Sequence, residues 1–270
     1  MATKRKILFV SQEMMPYMAE TEIAKLSRYL PQAVQKQGNE IRSFIPRYGC
    51  VSERRNQLHE VIRLSGTTFN IGGADHPLII KVSSIPSARM QVYLIDSEDY
   101  FKRKEMLFDE QGAFFDDNDE RTIFFARGTL ETIKKLCWQP DLIHCHGWFS
   151  MMVPLLVKKV FCHDPILAKA KIVVSVYNEK FSEHLSPLFN KKMMLSELKP
   201  EDVAVLSGIG YVELMKFALS YADGVVVGSQ HIDAELQKHI DTLSTPVLPY
   251  KEGQFVEPYL NFYETITTRA

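Results

Sequence analysis

Two histidines, a glycine and a tryptophan lie close together in residues 142–148, LIHCHGW. An imidazole can transfer a proton or ligate a metal, and an indole ring can stack on a sugar. Alternate residues of a strand share a face, so His144 and His146 would lie together with Cys145 opposite. No carboxylate or third ligand follows at once, which favours structural or sugar-contacting histidines over a metal site. Trp148 fits two roles equally well: it could stack on a sugar ring or plug the edge of a sheet.

Polar residues also follow two other apolar runs. Ser11 and Glu13 come after the run at residues 7–10, and Asn178 and Glu179 come after the run at residues 172–176. If these runs are parallel strands, their carboxyl ends meet at one edge, where ligands bind in such sheets. Ser11 and Glu13 are therefore candidate ligand contacts. Asn178 and Glu179 fit either a site or a cap for the next segment, and capping is favoured.

Short apolar runs alternate with helical patterns along the chain, which predicts an α/β domain with a Rossmann-like, doubly wound and mostly parallel sheet. The predicted strands are residues 7–10, 40–46, 61–64, 67–71, 78–83, 90–95, 142–145, 172–176 and 224–227. The predicted helices are residues 22–37, 120–136, 149–161, 212–221, 230–240 and 259–266. We expect a kink or a broken turn at Pro31. We also expect Asn118 or Asp119 to cap the second helix, and the acidic run 115–120 to be a solvated loop and cap.

Composition limits the partners of the chain. The 270 residues carry a net charge of −1, which gives no reason to expect nucleic acid or an anionic membrane. No stretch approaches the ~20 apolar residues of a membrane span, and the short run after the basic N-terminus is read as a strand. The four cysteines are scattered, as free thiols in a reducing cytoplasm would be. We predict a cytoplasmic protein with no cofactor and no metal.

Several strings, taken together and in order, resemble the N-terminal catalytic domain of bacterial glycogen synthases and plant starch synthases, glycosyltransferase family 5. They are ILFVSQEMMPY, IPRYG, VYLIDSEDYF, DDNDERTIFFARGTLE, CWQPDLIHCHGW, VVSVYN and MKFALSYADGVVVGS. The resemblance implies the N-terminal half of a GT-B fold over residues 1–270, with the second GT-B domain absent. It also implies transfer of glucose from ADP-glucose to an α-1,4-glucan.

The chain departs from the family at the positions that carry its chemistry. The family's Lys-x-Gly-Gly loop, which holds the phosphates, aligns with Ala19 at the lysine and Thr21 and Glu22 at the glycines. Gly147 replaces an aspartate and Tyr177 replaces a histidine that contacts the reacting sugar. With family residues replaced at Ala19, Gly147 and Tyr177, no catalytic residue is assigned.

The remaining candidates are substrate contacts: Ser11, Glu13, Tyr93 (the counterpart of a family tyrosine), His146, Trp148 and Asn178. Two functions stay open. One is a glucosyltransferase half that works only if a separately encoded partner supplies the nucleotide domain. The other is a non-catalytic glucan-binding, regulatory or scaffold protein. An α-glucan or another neutral sugar is the expected ligand, ADP-glucose would bind weakly if at all, and a homodimer is possible.

Overall fold

A nine-stranded sheet, in the order β11-β10-β9-β8-β1-β2-β7-β6-β3, organises the fold. The computed structural model describes residues 4–253 and 256–268. The strands of this sheet, and of a separate hairpin formed by β4 and β5, are β1 (Lys6–Ser11), β2 (Glu40–Pro46), β3 (His59–Glu60), β4 (Thr68–Ile71), β5 (Ala74–Pro77), β6 (Ile79–Ile85), β7 (Met90–Asp96), β8 (Leu142–His146), β9 (Lys171–Val176), β10 (Gly224–Val227) and β11 (Val247–Leu248).

The sheet is parallel from β11 to β7, and β6 and β3 extend it antiparallel. The central strands are rich in Val, Ile, Leu and Phe because both of their faces are covered. Helices connect them, namely α1 (Glu22–Lys36), α2 (Asn118–Lys135), α3 (Met152–Leu155), α4 (Phe189–Met193), α5 (Pro200–Val203), α6 (Tyr211–Leu219), α7 (Ala234–Asp241) and α8 (Glu257–Thr268). The Rossmann-like, mostly parallel α/β fold predicted from the sequence is confirmed.

Each face of the sheet has its own apolar core. Side chains of α2, α3 and α6 fill one face, and side chains of α1 and α8 fill the other. Helix α8 packs closely, because a Cβ built on Gly224 would lie 2.7 Å from Ile266 Cδ1. The Arg5 guanidinium donates to Thr267 Oγ1 at 2.9 Å, which ties the end of α8 to the start of β1. The predicted helix at 259–266 is therefore present and covers an apolar face.

Some of the strands and helix features predicted from the sequence differ from those of the structure, because backbone hydrogen bonds, and not side-chain pattern, decide them. Residues 61–64 form a turn closed by the Leu64 N–H to the Val61 carbonyl at 2.8 Å, and not the predicted strand. The neighbouring strand β3 is shorter and more polar, and β5 was not predicted because its sequence, ADHP, lacks an apolar run. Helix α1 continues through the buried Pro31 without the expected break.

Three further helix corrections concern ends and continuity. The predicted helix 149–161 is a 3₁₀ turn, the short α3 and a π-helical turn at Leu156–Val160. The cap position of α2 is Asp117, with no side-chain cap bond among the described residues, and not Asn118 or Asp119. Helix α7 begins only at Ala234, because Asp233 caps it through bonds from the Glu235 and Leu236 N–H groups.

Candidate functional site

The carboxyl ends of the central strands bring the sequence candidates to one edge of the sheet. Parallel register pairs Ser11 at the end of β1 with His146 at the end of β8, and His146 with Ser175 near the end of β9. The segments that leave these strands therefore meet beside the N-terminus of α1. This is the crevice in which a doubly wound sheet binds ligands.

The two histidines of β8 share a face, as predicted, and their ring centroids are 3.9 Å apart. His144 Nδ1 lies 2.6 Å from the Tyr263 hydroxyl, and its Nε2 lies 2.7 Å from the Ser175 hydroxyl. His146 Nδ1 lies 2.7 Å from the Tyr177 hydroxyl. Both imidazoles are fully buried, and His144 also packs against Tyr259 of α8. They are internal hydrogen-bonding groups and not residues presented to solvent.

Burial keeps both imidazoles neutral. Desolvation lowers the pKa of His146 to about 3. Desolvation, with a smaller contribution from the neighbouring His146, holds the pKa of His144 well below the ordinary imidazole value. A group with such a pKa stays unprotonated at neutral pH, so neither histidine is suited to act there as a general acid.

Trp148 plugs the edge of the sheet. Its side chain is only 2% exposed and packs against Phe181, with ring centroids 4.8 Å apart, and against Phe149 at 5.4 Å. Of the two roles the sequence left open, this is the structural one. Core packing covers the side chains of Trp148 and His146, so neither lines an open crevice in this structure.

Tyr177, which stands where the resemblance implies a sugar-contacting histidine, is also internal. It is 2% exposed, and its hydroxyl is the partner of His146. Its ring fills the space beside Gly228, where an added Cβ would come within 2.4 Å of Tyr177 Cε1. A larger residue at 228 would displace the ring, so Tyr177 and Gly228 are sterically complementary.

Gly147 and Gln12 are complementary in the same way. Gly147 has φ +82° and ψ 149°, a region that is essentially restricted to glycine. An added Cβ would lie 2.7 Å from Gln12 Cβ. The Gln12 side-chain oxygen Oε1 accepts the Phe149 N–H at 3.2 Å, so this side chain is held in place. Gln12 thus occupies the space into which a side chain at position 147 would project.

We expect Gly147→Asp, which installs the residue implied by the resemblance, to lower the free energy of unfolding by about 1–3 kcal/mol. The reason is the positive φ together with the collision with Gln12. Urea denaturation measures the change. The double variant Gln12→Ala/Gly147→Asp removes the contacts with Gln12 Cδ and Oε1 but keeps the contact with Cβ and the backbone strain, so it should recover only part of the loss. A Gly147→Asp protein as stable as the parent would contradict both causes.

The loop before α1 is closed on itself. Thr21 caps α1 by accepting the Ala24 N–H at 2.9 Å, and its hydroxyl donates to Glu13 Oε1 at 2.9 Å. The Glu22 carboxylate accepts a hydrogen bond from the Ser229 hydroxyl, which also accepts the Asn178 N–H at 3.0 Å. An anion at this helix end would meet a capped amide and two carboxylates.

Two carboxyl groups, those of Glu13 and Glu179, lie near each other behind this loop. Glu179 Oε1 accepts the Trp148 N–H at 2.9 Å, and its buried Oε2 has no hydrogen-bond partner within residues 4–253 and 256–268. Desolvation, with the Glu13 charge second, raises the pKa of Glu179 to about 8. Burial also raises the pKa of Glu13. Glu179 is therefore protonated at neutral pH.

The other sequence candidates are dispersed. Ser11 is at this edge, but it is fully buried and its hydroxyl has no partner in the described part of the chain. Asn178 is exposed. Tyr93 is 5% exposed and stacks on Phe44, with ring centroids 4.8 Å apart. Its hydroxyl accepts a hydrogen bond from Arg42, which lies towards the amino end of β2.

An open groove of about 890 Å³ lies beside the closed loop. One wall is the segment after β1, including Gln12, Glu13 and Ala19. The other wall is the segment 104–108, which belongs to the loop between β7 and α2. The position of this segment in the chain could have predicted that it lies at the site. Strand β7 is parallel to β1, so the loop after β7 must leave from the same edge of the sheet.

The described residues contain neither a metal-ligand cluster nor a membrane-spanning helix. Within residues 4–253 and 256–268, no three His, Cys, Asp or Glu side chains are grouped as metal ligands would be. No helix in the same residues is long and apolar enough to cross a membrane.

The fold and this edge define the chain as an N-terminal GT-B type of Rossmann-like domain. It belongs to the family described as starch synthase catalytic domain, which it matches over residues 6–245. It is 35% identical over 200 residues to a glycogen synthase of Chlorobium limicola (74% of this chain, 40% of that protein). It is 34% identical over 234 residues to one of Chlorobaculum tepidum (86% and 47%). The chain thus spans less than half the length of these relatives.

A solved structure shares the fold. The catalytic domain of starch synthase IV from Arabidopsis thaliana, bound to ADP and acarbose, superposes with a TM-score of 0.67 at 18% identity. The match covers 97% of this chain and 50% of that one. Almost the whole of this chain therefore follows one half of that protein.

Proposed function

We propose that this domain binds a neutral α-glucan in the groove beside β1 and does not by itself transfer glucose from ADP-glucose. The observation that carries the proposal is the closed N-terminus of α1. The Thr21 hydroxyl accepts the Ala24 N–H at this helix end, and the Glu22 carboxylate accepts a hydrogen bond from Ser229. Ala19 supplies no cation.

A nucleotide diphosphate needs free amides and positive charge at such a helix end. Lys25, the nearest cation on α1, is paired with Glu20 on the surface. A diphosphate bound at this helix end would therefore face the carboxylates of Glu13 and Glu22, and the first turns of α1 offer it only a lysine that is already paired. Like charges close to one another repel, which lowers the affinity for the diphosphate.

A neutral sugar meets none of this repulsion. Among its lining residues the groove offers the Gln12 amide, and the cations Arg55 and Lys104 as hydrogen-bond donors. Apolar side chains, including Met18 and Leu107, lie between them. A few polar groups set among apolar surface are the usual lining of a small-molecule site.

Calorimetric titration with maltoheptaose and with ADP-glucose tests the proposal. We expect weak binding of the oligosaccharide and no measurable binding of the nucleotide sugar. The triple variant Ala19→Lys/Thr21→Gly/Glu22→Gly, which restores the loop implied by the family, should bind ADP at least tenfold more tightly than the parent. Glu22→Gln, which removes only the charge, is the matched control and should fall between them.

Two results would contradict the proposal. One is tighter binding of ADP-glucose than of maltoheptaose by the unaltered chain. The other is release of ADP in the presence of glycogen at ~1–10 s⁻¹, an ordinary enzymatic rate. A third result, silence towards both ligands, would contradict glucan binding and would instead indicate a scaffold role.

A further inference from the structure

We propose that Phe108 is the aromatic surface on which a ring of the glucan stacks, the role for which the sequence offered Trp148. This inference rests on the proposed function and assigns a specific contact within the groove. Phe108 lines the groove and keeps 37% of its surface exposed. A large apolar side chain that stays exposed inside a concave site is suited to contact a ligand.

A column of aromatic rings supports Phe108 from behind. Its ring lies edge-on to Phe114, with centroids 5.3 Å apart. Phe114 in turn stacks on Phe181 at 5.0 Å and lies 5.9 Å from Trp148. The buried Trp148 is thus the base of the column and Phe108 is its exposed end.

The backbone that carries Phe108 is a closed hairpin. Phe108 and Phe114 pair as an antiparallel bridge, and the Asp109 N–H donates to the Ala113 carbonyl at 2.8 Å. Asp109 Oδ1 accepts the N–H groups of Gln111 at 2.9 Å and Ala113 at 2.8 Å. A ring held on such a hairpin loses little conformational freedom when a ligand binds.

Asn118 anchors this hairpin to helix α2. Its Nδ2 donates to the Leu107 carbonyl at 2.9 Å, and its Oδ1 accepts from Arg121 Nη1 at 2.6 Å. Arg121 is fully buried and also donates from Nε to the Tyr100 carbonyl at 2.9 Å. We assign Asn118 as a positioning residue, because it holds the wall of the groove without lining it.

The chemistry of this wall favours a sugar ring. A pyranose has a face of C–H groups that fits an aromatic ring, and hydroxyls around its rim that need hydrogen bonds. Phe108 supplies a face with no polar atom, while the Lys104 ammonium and the Gln12 amide supply donors in the same groove. The expected ligand is therefore a short α-glucan that lays one ring on Phe108.

The test compares maltoheptaose binding by the unaltered chain and by three variants. Phe108→Leu keeps an apolar side chain and removes the ring, and should weaken binding by about tenfold. Phe108→Trp keeps the ring and should retain binding. Both native tryptophans, Trp138 and Trp148, are buried, so the new indole should report the ligand by a change in fluorescence. Tyr29→Leu, at an exposed aromatic on α1 outside the groove, is the matched control and should bind as the parent does.

The variant Asn118→Asp tests the anchor. It keeps the size of the side chain and its acceptor for Arg121, but it loses the donor to Leu107. In the Phe108→Trp background it should make the indole more mobile without ligand, measured as lower fluorescence anisotropy, and should weaken binding. An unchanged anisotropy would overturn the positioning role.

The outcomes separate the two proposals. If the unaltered chain binds maltoheptaose and Phe108→Leu binds equally well, the stacking inference is overturned and the proposed function stands. If the unaltered chain does not bind, both fall. Equal weakening by Phe108→Leu and Tyr29→Leu would also overturn a specific role for Phe108.

Discussion

Replacement of Trp148 by alanine is expected to lower the free energy of unfolding by about 3–5 kcal/mol. The indole is 2% exposed, and its removal would leave a cavity between Phe149, Phe181 and Phe114. Core aromatic residues leave such cavities because the surrounding side chains relax only in part. Urea or thermal denaturation of the two proteins measures the difference.

Trp148→Phe and Phe108→Leu are the controls. The first keeps a ring in the column and should be less destabilised than Trp148→Ala. The second removes the exposed end of the column. It should leave the free energy of unfolding almost unchanged while weakening the binding of the glucan. A Trp148→Ala protein that is fully stable but no longer binds glucan would show that Trp148 itself contacts the sugar.

Stability is expected to be greatest near pH 6.5 and to fall on both sides. Below ~6.5 the unfolded state protonates its histidines while the buried His144 and His146 stay neutral. Each of these two histidines lowers the free energy of unfolding by about 1.4 kcal/mol for every unit that the pH falls. For His146 this loss continues to about pH 3.

Glu179 changes the free energy of unfolding with pH in the opposite direction. Its pKa is raised to about 8, so the folded state holds a proton that the unfolded state has already released above ~4.5. Stability therefore falls by about 1.4 kcal/mol per unit as the pH rises from ~4.5 to 8. Between pH 4.5 and 6.5 this effect offsets one of the two histidines, and below 4.5 both histidines act without it.

Single variants separate these contributions in urea titrations at several pH values. His146→Asn keeps a group for the Tyr177 hydroxyl and should abolish the net slope between pH 4.5 and 6.5 and halve the slope below pH 4.5. Glu179→Gln keeps the acceptor for the Trp148 N–H and should abolish the loss between pH 6.5 and 8. His163→Asn, at an exposed position, should change neither slope. A stability that stays constant from pH 7 to pH 5 in the unaltered chain would contradict the neutral histidine pair.

The sequence predicted the central strands well because burial on both faces leaves an unambiguous apolar run. The predictions for β2 and β10 have the observed bounds, and those for β1, β8 and β9 differ by one or two residues. The edge elements β3 and β5 were missed because backbone pairing, and not apolar pattern, defines them. Helix α8 was predicted because its apolar residues recur at helical spacing.

The site was harder to predict, because residue type does not tell which aromatic ring is covered. Trp148 and Phe108 are both aromatic residues near the same sheet edge, and only the packing of Phe114 and Phe181 decides that the first is buried and the second exposed. The fit of Gly147 against Gln12 joins positions far apart in the chain. Such complementarity arises from the tertiary fold and leaves no local pattern in the sequence.

Helix α8 also sets the order in which the molecule can be completed. The bond between Arg5 and Thr267 joins residues 262 positions apart. A ribosome delivers the amino-terminal strands first, so β1, β8, β9 and β10 can assemble while residues 257–268 are still inside it. During that interval the sheet surface around Ile7, Val173 and Gly224 faces water, and the nascent chain is then most exposed to association with other chains.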